Sequence, residues 1–398
     1  MSTLIHIDER PRAAPEPQGF ALWQLGFRPF YLLASAFAAL SIALWALQFS
    51  GGLSRPYLAG PLWHAHEMLF GFTLAVVVGF LFTAGRTWSM RPTPSGAPLA
   101  ALALLWLAGR VLVLTPFGVL AAVVDVAFAP AAALALAIPF WASRNRRNYF
   151  FVGLLMALGI ANAVFHLTQL GLLRLPAFIG LQVALDVLLF IVSVMAGRVV
   201  PMFTNSGVPG AGAVKHPALE KLALGSVLVL LAGDLAGLSG PLLAAVALPA
   251  AAAHALRWGL WKPWKTVAAP LVWVLHAAYF WVPVHLALRA ASAFGLATPS
   301  AAAHALTVGA VGGLIIGMMV RTTRGHTARP LTADRVDVLA FVLVLLAPLL
   351  RVGLPMWVPA WTLYAIVGSA AVWSGGFAVF AWRYAPALLR PRLDGRPG

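Results

Sequence analysis

The residues whose side chains are best suited to chemistry lie together at the start of an apolar run. The segment Trp63-His64-Ala65-His66-Glu67 opens a stretch that stays apolar from Met68 to Ala84. Ionisable side chains are costly inside a membrane helix and usually have a functional role there. Because imidazole binds iron and copper well, this cluster predicts a buried metal or haem site.

The spacing of the two histidines limits how they can bind a metal. On a regular helix, residues two apart point about 200° away from each other. His64 and His66 would then serve two different centres, and we expect His66 to share one centre with His304. If residues 63–65 are instead an extended lead-in, both histidines can bind one ion. A further alternative is that they are polar helix caps in interfacial water.

The composition defines the class of protein that must position these residues. The 398-residue chain is 61% hydrophobic and 10% charged, with a mean hydropathy of +0.89, which indicates an integral membrane protein. The 27 Lys and Arg residues are scattered and form no continuous stripe, so the net charge of +16 does not indicate nucleic-acid binding. Without cysteine, thiolate-held copper, iron-sulfur clusters and covalent haem attachment are excluded.

Hydropathy predicts an all-α protein with twelve transmembrane helices, since a helix needs about 17–25 apolar residues to span a bilayer. This topology puts 22 Lys and Arg residues on one side and only Arg55, Arg110, Arg174, Arg289 and Arg351 on the other. By the positive-inside rule both termini are then cytoplasmic. The expected domains are a tail at 1–28, a membrane domain at 29–383 and a tail at 384–398. The expected spans are 30–50, 66–85, 98–114, 119–141, 149–170, 177–197, 219–237, 241–256, 268–288, 301–320, 336–351 and 358–381.

Six of the ten histidines fall in the outer half or the centre of these spans. The candidate ligands of haem or metal are His64, His66, His166, His276 and His304. A lone membrane histidine is also often satisfied by a backbone carbonyl, which is the alternative for His166, His276 and His285.

Carboxylates and arginines near the outer face are candidates for supporting roles. Glu67, Asp125 and Asp186 are expected to orient a ligand or relay protons, with Glu67 assigned to His64. Haem propionates need cationic or donor partners, and the candidates are Arg55, Arg174 and Arg289. Topology anchoring is the alternative for the boundary arginines.

Helices 2 and 10 show an internal similarity. When His66 is aligned with His304, Gly71 falls on Gly309, Gly79 on Gly317 and Arg86 on Arg324 without a gap. A true repeat would let two helices clamp one haem between them, with small residues allowing close approach. The alternative is that Gly309, Gly312, Gly313 and Gly317 form a packing stripe for a neighbouring helix.

With these residues in view, the sequence resembles the NnrS family over nearly its whole length. This resemblance implies a bacterial inner-membrane protein with non-covalent haem b and copper, associated with denitrification and with protection against nitric oxide. His64, His66, Glu67, His166, His276, His304 and His326 fall at positions of the family pattern. The segments that carry the resemblance are Leu25-Gly26-Phe27-Arg28-Pro29-Phe30, Trp63 to Phe72, Arg144-Asn145-Arg146-Arg147-Asn148, Gly197 to Thr204 and Gly325 to Leu331.

A weaker likeness is to the catalytic subunits of haem-copper oxidases and nitric oxide reductases. These also have twelve helices with both termini inside, and haem-ligating histidines at the outer ends of helices 2 and 10. Here, however, the His-x-His pair is on helix 2, and helices 6 and 7 contain no histidine. Gln182 and Asp186 stand on helix 6 instead, so an oxidase-type copper centre is not expected.

The leading functional hypothesis is a haem- or copper-bearing membrane protein that binds nitric oxide, turns it over or protects against it. Turnover would make it a redox enzyme, and it needs electrons from quinol or from another redox protein, because the chain contains no electron-carrier domain. The alternative is a transporter of a metal ion or small solute. Polar residues within the spans, Asn162, Gln182 and Asp186, suit such a path. An assembly factor for another membrane enzyme is a third class.

Overall fold

The part of the chain that the structure describes folds into helices and the turns that join them. The computed structural model describes residues 19–49, 51 and 56–396, and within this part of the chain there is no β-strand. Among the described residues, ten helices are long and apolar enough to cross a membrane. The chain is therefore a multi-pass membrane protein, as the composition predicts.

Between residues 19 and 396, the described helices fall into twelve consecutive segments, each of which overlaps one of the twelve expected spans. The two segments beyond the ten long apolar helices are Ala97–Leu112, which is shorter, and Pro217–Leu235, which carries Glu220, Lys221 and Asp234. The bounds are α1 Phe27–Phe49, α2 Gly60–Ser89, α3 Ala97–Leu112, α4 Gly118–Ala142, α5 Tyr149–Gln169, α6 Ile179–Gly207, α7 Pro217–Leu235, α8 Gly240–Leu260, α9 Pro270–Ser292, α10 Pro299–His326, α11 Arg335–Trp357 and α12 Thr362–Leu389.

Two boundaries differ from expectation in ways that matter for the site. Helix α2 begins at Gly60, six residues earlier than the predicted span, so the whole His-x-His segment is helical. Helix α12 continues to Leu389, eight residues past the end of the predicted span 358–381. Hydropathy misses such extensions because a helix can run on beyond the apolar layer without losing its backbone hydrogen bonds.

Local sequence explains where several helices start. Proline occupies the first or second position of six helices, where its missing N–H has no intrahelical partner to lose. Helix α11 begins with a capping box, in which Asp334 accepts from the backbone of Asp337 and the Asp337 side chain accepts from the backbone of Asp334. The six prolines are Pro61, Pro98, Pro217, Pro241, Pro270 and Pro299.

Helices that follow each other in sequence pack side by side, and α12 returns to pack against α1. Additional contacts join α2 to α4 and to α6, α6 to α9, and α1 to α10. Helix α2 is therefore surrounded by neighbours. Within its most apolar stretch of 18 residues, 78% of the residues are buried. A helix in this position places its polar residues against other helices instead of lipid.

Helices α2 and α10 share an uncommon backbone feature. Each contains a π-helical segment directly after its histidine, at Glu67–Thr73 following His66 and at Ala305–Gly312 following His304. Such segments are rare and often occur at functional sites. The similarity between the two aligned sequences thus extends to their backbone conformation.

The glycines of α10 pack against protein. A Cβ on Gly309 would overlap the ring of Trp281, and a Cβ on Gly313 would lie 2.6 Å from the Cβ of Ala278. Trp281 and Ala278 both belong to α9. The packing interpretation thus holds for Gly309, Gly313 and Gly317, which face α9, whereas Gly312 faces Trp373 of α12.

Candidate functional site

The two histidines of α2 point to different neighbours, as a helical backbone requires. The ring of His64 lies against Trp45 of α1 and His304 of α10. His66 faces α4 and α5, where it contacts Asp125 and Asn162. Since Gly60–His66 is a regular helix, the alternative of an extended lead-in with both histidines on one ion is wrong.

His66 is the centre of a fully buried polar cluster. Its Nδ1 lies 2.9 Å from Oε1 of Glu67, the next residue in the chain. On the other side of the ring, Nε2 lies 2.9 Å from Oδ1 of Asn162 and 3.1 Å from Oδ2 of Asp125. Phe70 and Phe165 cover the ring, with centroids 5.1 and 4.9 Å from the His66 centroid. Bulk water is therefore kept from this imidazole.

A second histidine reaches the same carboxylate from α5. Nε2 of His166 lies 3.0 Å from Oδ2 of Asp125, and its Nδ1 lies 3.1 Å from the hydroxyl of Tyr57. One ligand atom each from His66, Asp125 and His166 lies within 4.8 Å of the other two, which is compact enough to hold one metal ion. Two imidazoles and one carboxylate are a donor set suited to copper, iron or zinc.

Arg110 of α3 joins the two carboxylates of this cluster. Its guanidinium donates to Oε1 of Glu67 at 2.5 Å and to Oδ1 of Asp125. The side chain is buried, and the absence of a Cβ on Gly71 leaves space for it, since a Cβ there would lie 2.7 Å from Nη1. The arginine thus fixes one oxygen of Asp125 and leaves Oδ2 facing the histidines.

The charges of the cluster leave a place for one more positive charge. Two carboxylates and one guanidinium sum to one net negative charge when both histidines are neutral. The amide orientation of Asn162 is set by its Nδ2, which donates to Oδ2 of Asp125 at 2.7 Å. Both ring nitrogens of His66 then face oxygen acceptors, so the ring needs either two protons or one proton and a bound cation. The cluster therefore fits a metal ion by charge as well as by donor set.

The second group of histidines lies between α2 and α10. The rings of His64 and His304 are almost parallel, at 11°, with centroids 6.3 Å apart. Two imidazoles that face each other across one metal ion have centroids roughly 6–6.5 Å apart, because each metal–nitrogen bond is about 2.0–2.1 Å. A separation of this size leaves room for one metal ion between the two imidazoles.

The ring nitrogens of His64 and His304 differ in their hydrogen bonding. Nδ1 of His304 lies 2.7 Å from the carbonyl oxygen of Ser300, which leaves Nε2 for another partner. Nδ1 of His64 is buried without a hydrogen-bond partner among the described residues. Arg351 of α11 donates to Oγ of Ser300 at 3.3 Å, so a cation stands next to the pair.

Two sequence predictions about these histidines are wrong. His304 lies against His64, whereas His66 was expected to be its partner. Glu67 contacts His66, whereas it was expected to orient His64. Helix α10 faces the side of α2 that carries His64, and the side with His66 is turned towards α4 and α5. Sequence spacing separates the two histidines but does not say which neighbour each one meets.

The other predicted residues lie in separate surroundings. Nε2 of His276 contacts Oγ1 of Thr204 at 2.8 Å. Arg289 donates to Asp186 and Asp234, so its guanidinium is committed to carboxylates instead of a propionate.

Of the other two propionate candidates, Arg174 is exposed in the turn between α5 and α6. Arg55 lies outside the described residues. Arg351, which entered the sequence-based prediction only through topology, is the arginine beside the histidine pair.

Three further residues of the site were not predicted as such. Arg110 was treated as a topology marker, and Asn162 as a feature of the transporter alternative. Tyr57 was not considered. A signal did exist for Arg110, since an arginine inside an apolar span needs a buried anionic partner. Nothing in the sequence indicates that Tyr57 would reach α5.

The fold and these two groups of histidines define a polytopic helical membrane protein with candidate metal ligands buried between its helices. The family model described as NnrS protein matches residues 21–392. The chain therefore belongs to the NnrS family, and this membership indicates a membrane protein of the nitric oxide response. No curated protein matches the sequence.

Proposed function

We propose that this protein is a haem- and copper-binding protein of the bacterial inner membrane that binds nitric oxide, turns it over or protects against it. The observation that carries the proposal is the buried group of His66, Asp125 and His166, found in a chain of the NnrS family. When bound, copper held by three protein ligands would supply an open coordination position for a small diatomic ligand, and haem iron would supply one-electron chemistry.

The group of His66, Asp125 and His166 is assigned to copper. Imidazole suits this metal, and the cluster has a place for one added positive charge. Glu67 and Tyr57 hold the outward-facing Nδ1 atoms of the two histidines. Such partners orient ligands and raise their basicity. Arg110 holds Oδ1 of Asp125, so that Oδ2, which faces the two histidines, would be the oxygen that binds the ion.

The pair of His64 and His304 is assigned to haem b. The spacing of the rings and the unpartnered Nδ1 of His64 support this assignment. Haem has to be non-covalent because the sequence contains no cysteine. Arg351, which donates to Ser300 beside the pair, would be the cation available to a haem propionate. Electrons for any turnover come from quinol or from another redox protein. The protein is embedded in the lipid bilayer.

Separate loss of the two metals tests this proposal. We expect His166→Ala to remove copper and keep haem, because the copper group loses one of its three ligands. His64→Ala and His304→Ala should remove the Soret band and leave copper in place. The measurement is metal analysis and an absorption spectrum of each purified variant, before and after addition of nitric oxide.

His216→Ala is the matched control, since His216 is exposed at the start of α7. It should keep both haem and copper. If the wild-type protein contains neither haem nor copper, the proposal is wrong and the transporter alternative is favoured. If all three variants lose the same single signal, the assignment of two separate centres is wrong.

The proposal includes twelve membrane crossings with both termini in the cytoplasm. The distribution of Lys and Arg supports this orientation, since only five of 27 fall on the opposite side. Alkaline phosphatase, which is active only outside the inner membrane, should be inactive when fused after Gly398. It should be active when inserted at Arg174, between α5 and α6. Activity at the C-terminal fusion would contradict this topology.

A further inference from the structure

A second carboxylate pair lies apart from the histidine groups, at the junction of α6, α7 and α9. Asp186 belongs to α6, Asp234 to the last turn of α7 and Arg289 to the last turn of α9. Asp186 is 1% exposed, and the side chains of Asp234 and Arg289 are 8% and 10% exposed. Three ionisable groups are therefore gathered near one end of the bundle, largely out of contact with water.

Two donors serve this pair. Arg289 donates to Oδ1 of Asp186 at 3.3 Å and to Oδ1 of Asp234 at 2.6 Å. The Gln182 amide donates to Oδ1 of Asp186 at 3.2 Å and to Oδ2 of Asp234 at 3.0 Å. Three of the four carboxylate oxygens thus have a donor.

The fourth oxygen has none. Oδ2 of Asp186 is buried without a donor among the described residues, although the two carboxylates converge on the same two donor side chains, Gln182 and Arg289. A proton bound at this oxygen would satisfy it, since an ionised carboxylate can only accept hydrogen bonds. Two negative charges against one guanidinium also leave one uncompensated negative charge in a medium where this is costly. One added proton removes both defects.

A histidine beside the pair has a free acceptor. His285 stands four residues before Arg289, which contacts both carboxylates, and it therefore lies on the same face of α9. Its Nδ1 is 2.7 Å from the carbonyl oxygen of Ala302 and must carry the ring proton. Its Nε2 is then an acceptor, and it is buried without a partner among the described residues.

From these contacts we propose that Asp186 and Asp234 share one proton and form a proton-binding site of the membrane domain. Arg289 holds the remaining negative charge, and Nε2 of His285 is the neighbouring acceptor through which the proton can leave or return. The ligand of this site is a proton, and the site stands whether or not the chain binds haem or copper. A shared proton gives the otherwise unexplained polar groups of α6, α7 and α9 a common role.

Infrared spectroscopy of the purified protein tests for this proton directly. We expect a carboxylic acid C=O band that shifts in D2O and also shifts when aspartate is labelled with ¹³C at its carboxyl group. Asp186→Asn and Asp234→Asn should each abolish the band, because the remaining aspartate then pairs with Arg289 one to one. Arg289→Gln should increase the band about twofold, because both carboxyls then become neutral.

Glu220→Gln is the control. Glu220 lies on the same helix as Asp234 and forms a one-to-one ion pair with Arg257, at 2.7 Å, so the band should be unchanged. Absence of a label-sensitive band in the wild type would overturn the proposal, and this measurement does not depend on any variant folding. A band that disappears when sodium is added at constant pH would also overturn it, since the site would then bind a metal cation.

Discussion

Replacing Arg110 with methionine should lower the free energy of unfolding by about 3–5 kcal/mol, since removing one partner of a buried ion pair leaves uncompensated charge behind. Arg110 is 4% exposed and is shared by Glu67 and Asp125. Methionine keeps most of the volume and removes the charge. The measurement is reversible unfolding in mixed micelles, followed by tryptophan fluorescence.

Two comparisons separate charge from packing. Arg383→Met removes an exposed partner of Asp334 and should cost at most about 1 kcal/mol, since exposed ion pairs contribute little. Adding Glu67→Gln to Arg110→Met should restore part of the lost stability, because it removes one of the two stranded carboxylates. If the double variant is no more stable than Arg110→Met alone, the charge explanation is wrong.

Gly180→Ala should loosen the proposed copper site of His66, Asp125 and His166 without changing any of these residues. A Cβ at Gly180 would lie 2.5 Å from the carbonyl oxygen of Ala161 and 2.8 Å from the backbone nitrogen of Phe165. Both are backbone atoms of α5, so α5 and α6 have to separate. We expect a loss of about 1–3 kcal/mol in unfolding free energy, typical of overpacking. Copper affinity should also fall, because the same stretch of α5 carries Asn162 and His166.

Gly153→Ala is the matched control on α5 itself. No atom lies within 4 Å of a Cβ at this position. The substitution should therefore be neutral, or stabilise the helix by roughly 0.5–1 kcal/mol through lower backbone entropy. Equal copper affinity and equal stability in both variants would show that the close approach of α5 and α6 does not position the site.

The positions of the helices could be predicted from sequence because apolar length is a local property. Each described helix overlaps an expected span, and the 200° divergence of His64 and His66 follows from helical geometry alone. Their partners could not be predicted in this way. Asp125 and His166 lie 59 and 100 residues after His66, and only the packing of α2 against α4 and α5 brings them together.

The two errors in the predicted site have one physical origin. Equal depth in the membrane suggested that His66 and His304 would meet, but depth says nothing about the direction in which a side chain leaves its helix. That direction depends on which face of α2 each neighbour covers. Hydropathy carries little of this information for a helix that is buried all round, because such a helix has no lipid-facing side to set its rotation.

In α2 and α10, the direction in which the histidines point depends on the number of residues in the π-helical segment that follows them as well as on the identity of those residues. A π turn holds one residue more than an α turn, so it rotates the residues before it by about 100° relative to the residues after it. Deleting a single residue between Glu67 and Thr73 would let that turn close into an ordinary α-helix. His64 and His66 would then rotate together towards new neighbours, while the rest of α2, Leu74–Ser89, kept its packing. The number of residues in the π-helical segment therefore determines the direction in which the histidine side chains before it leave the helix.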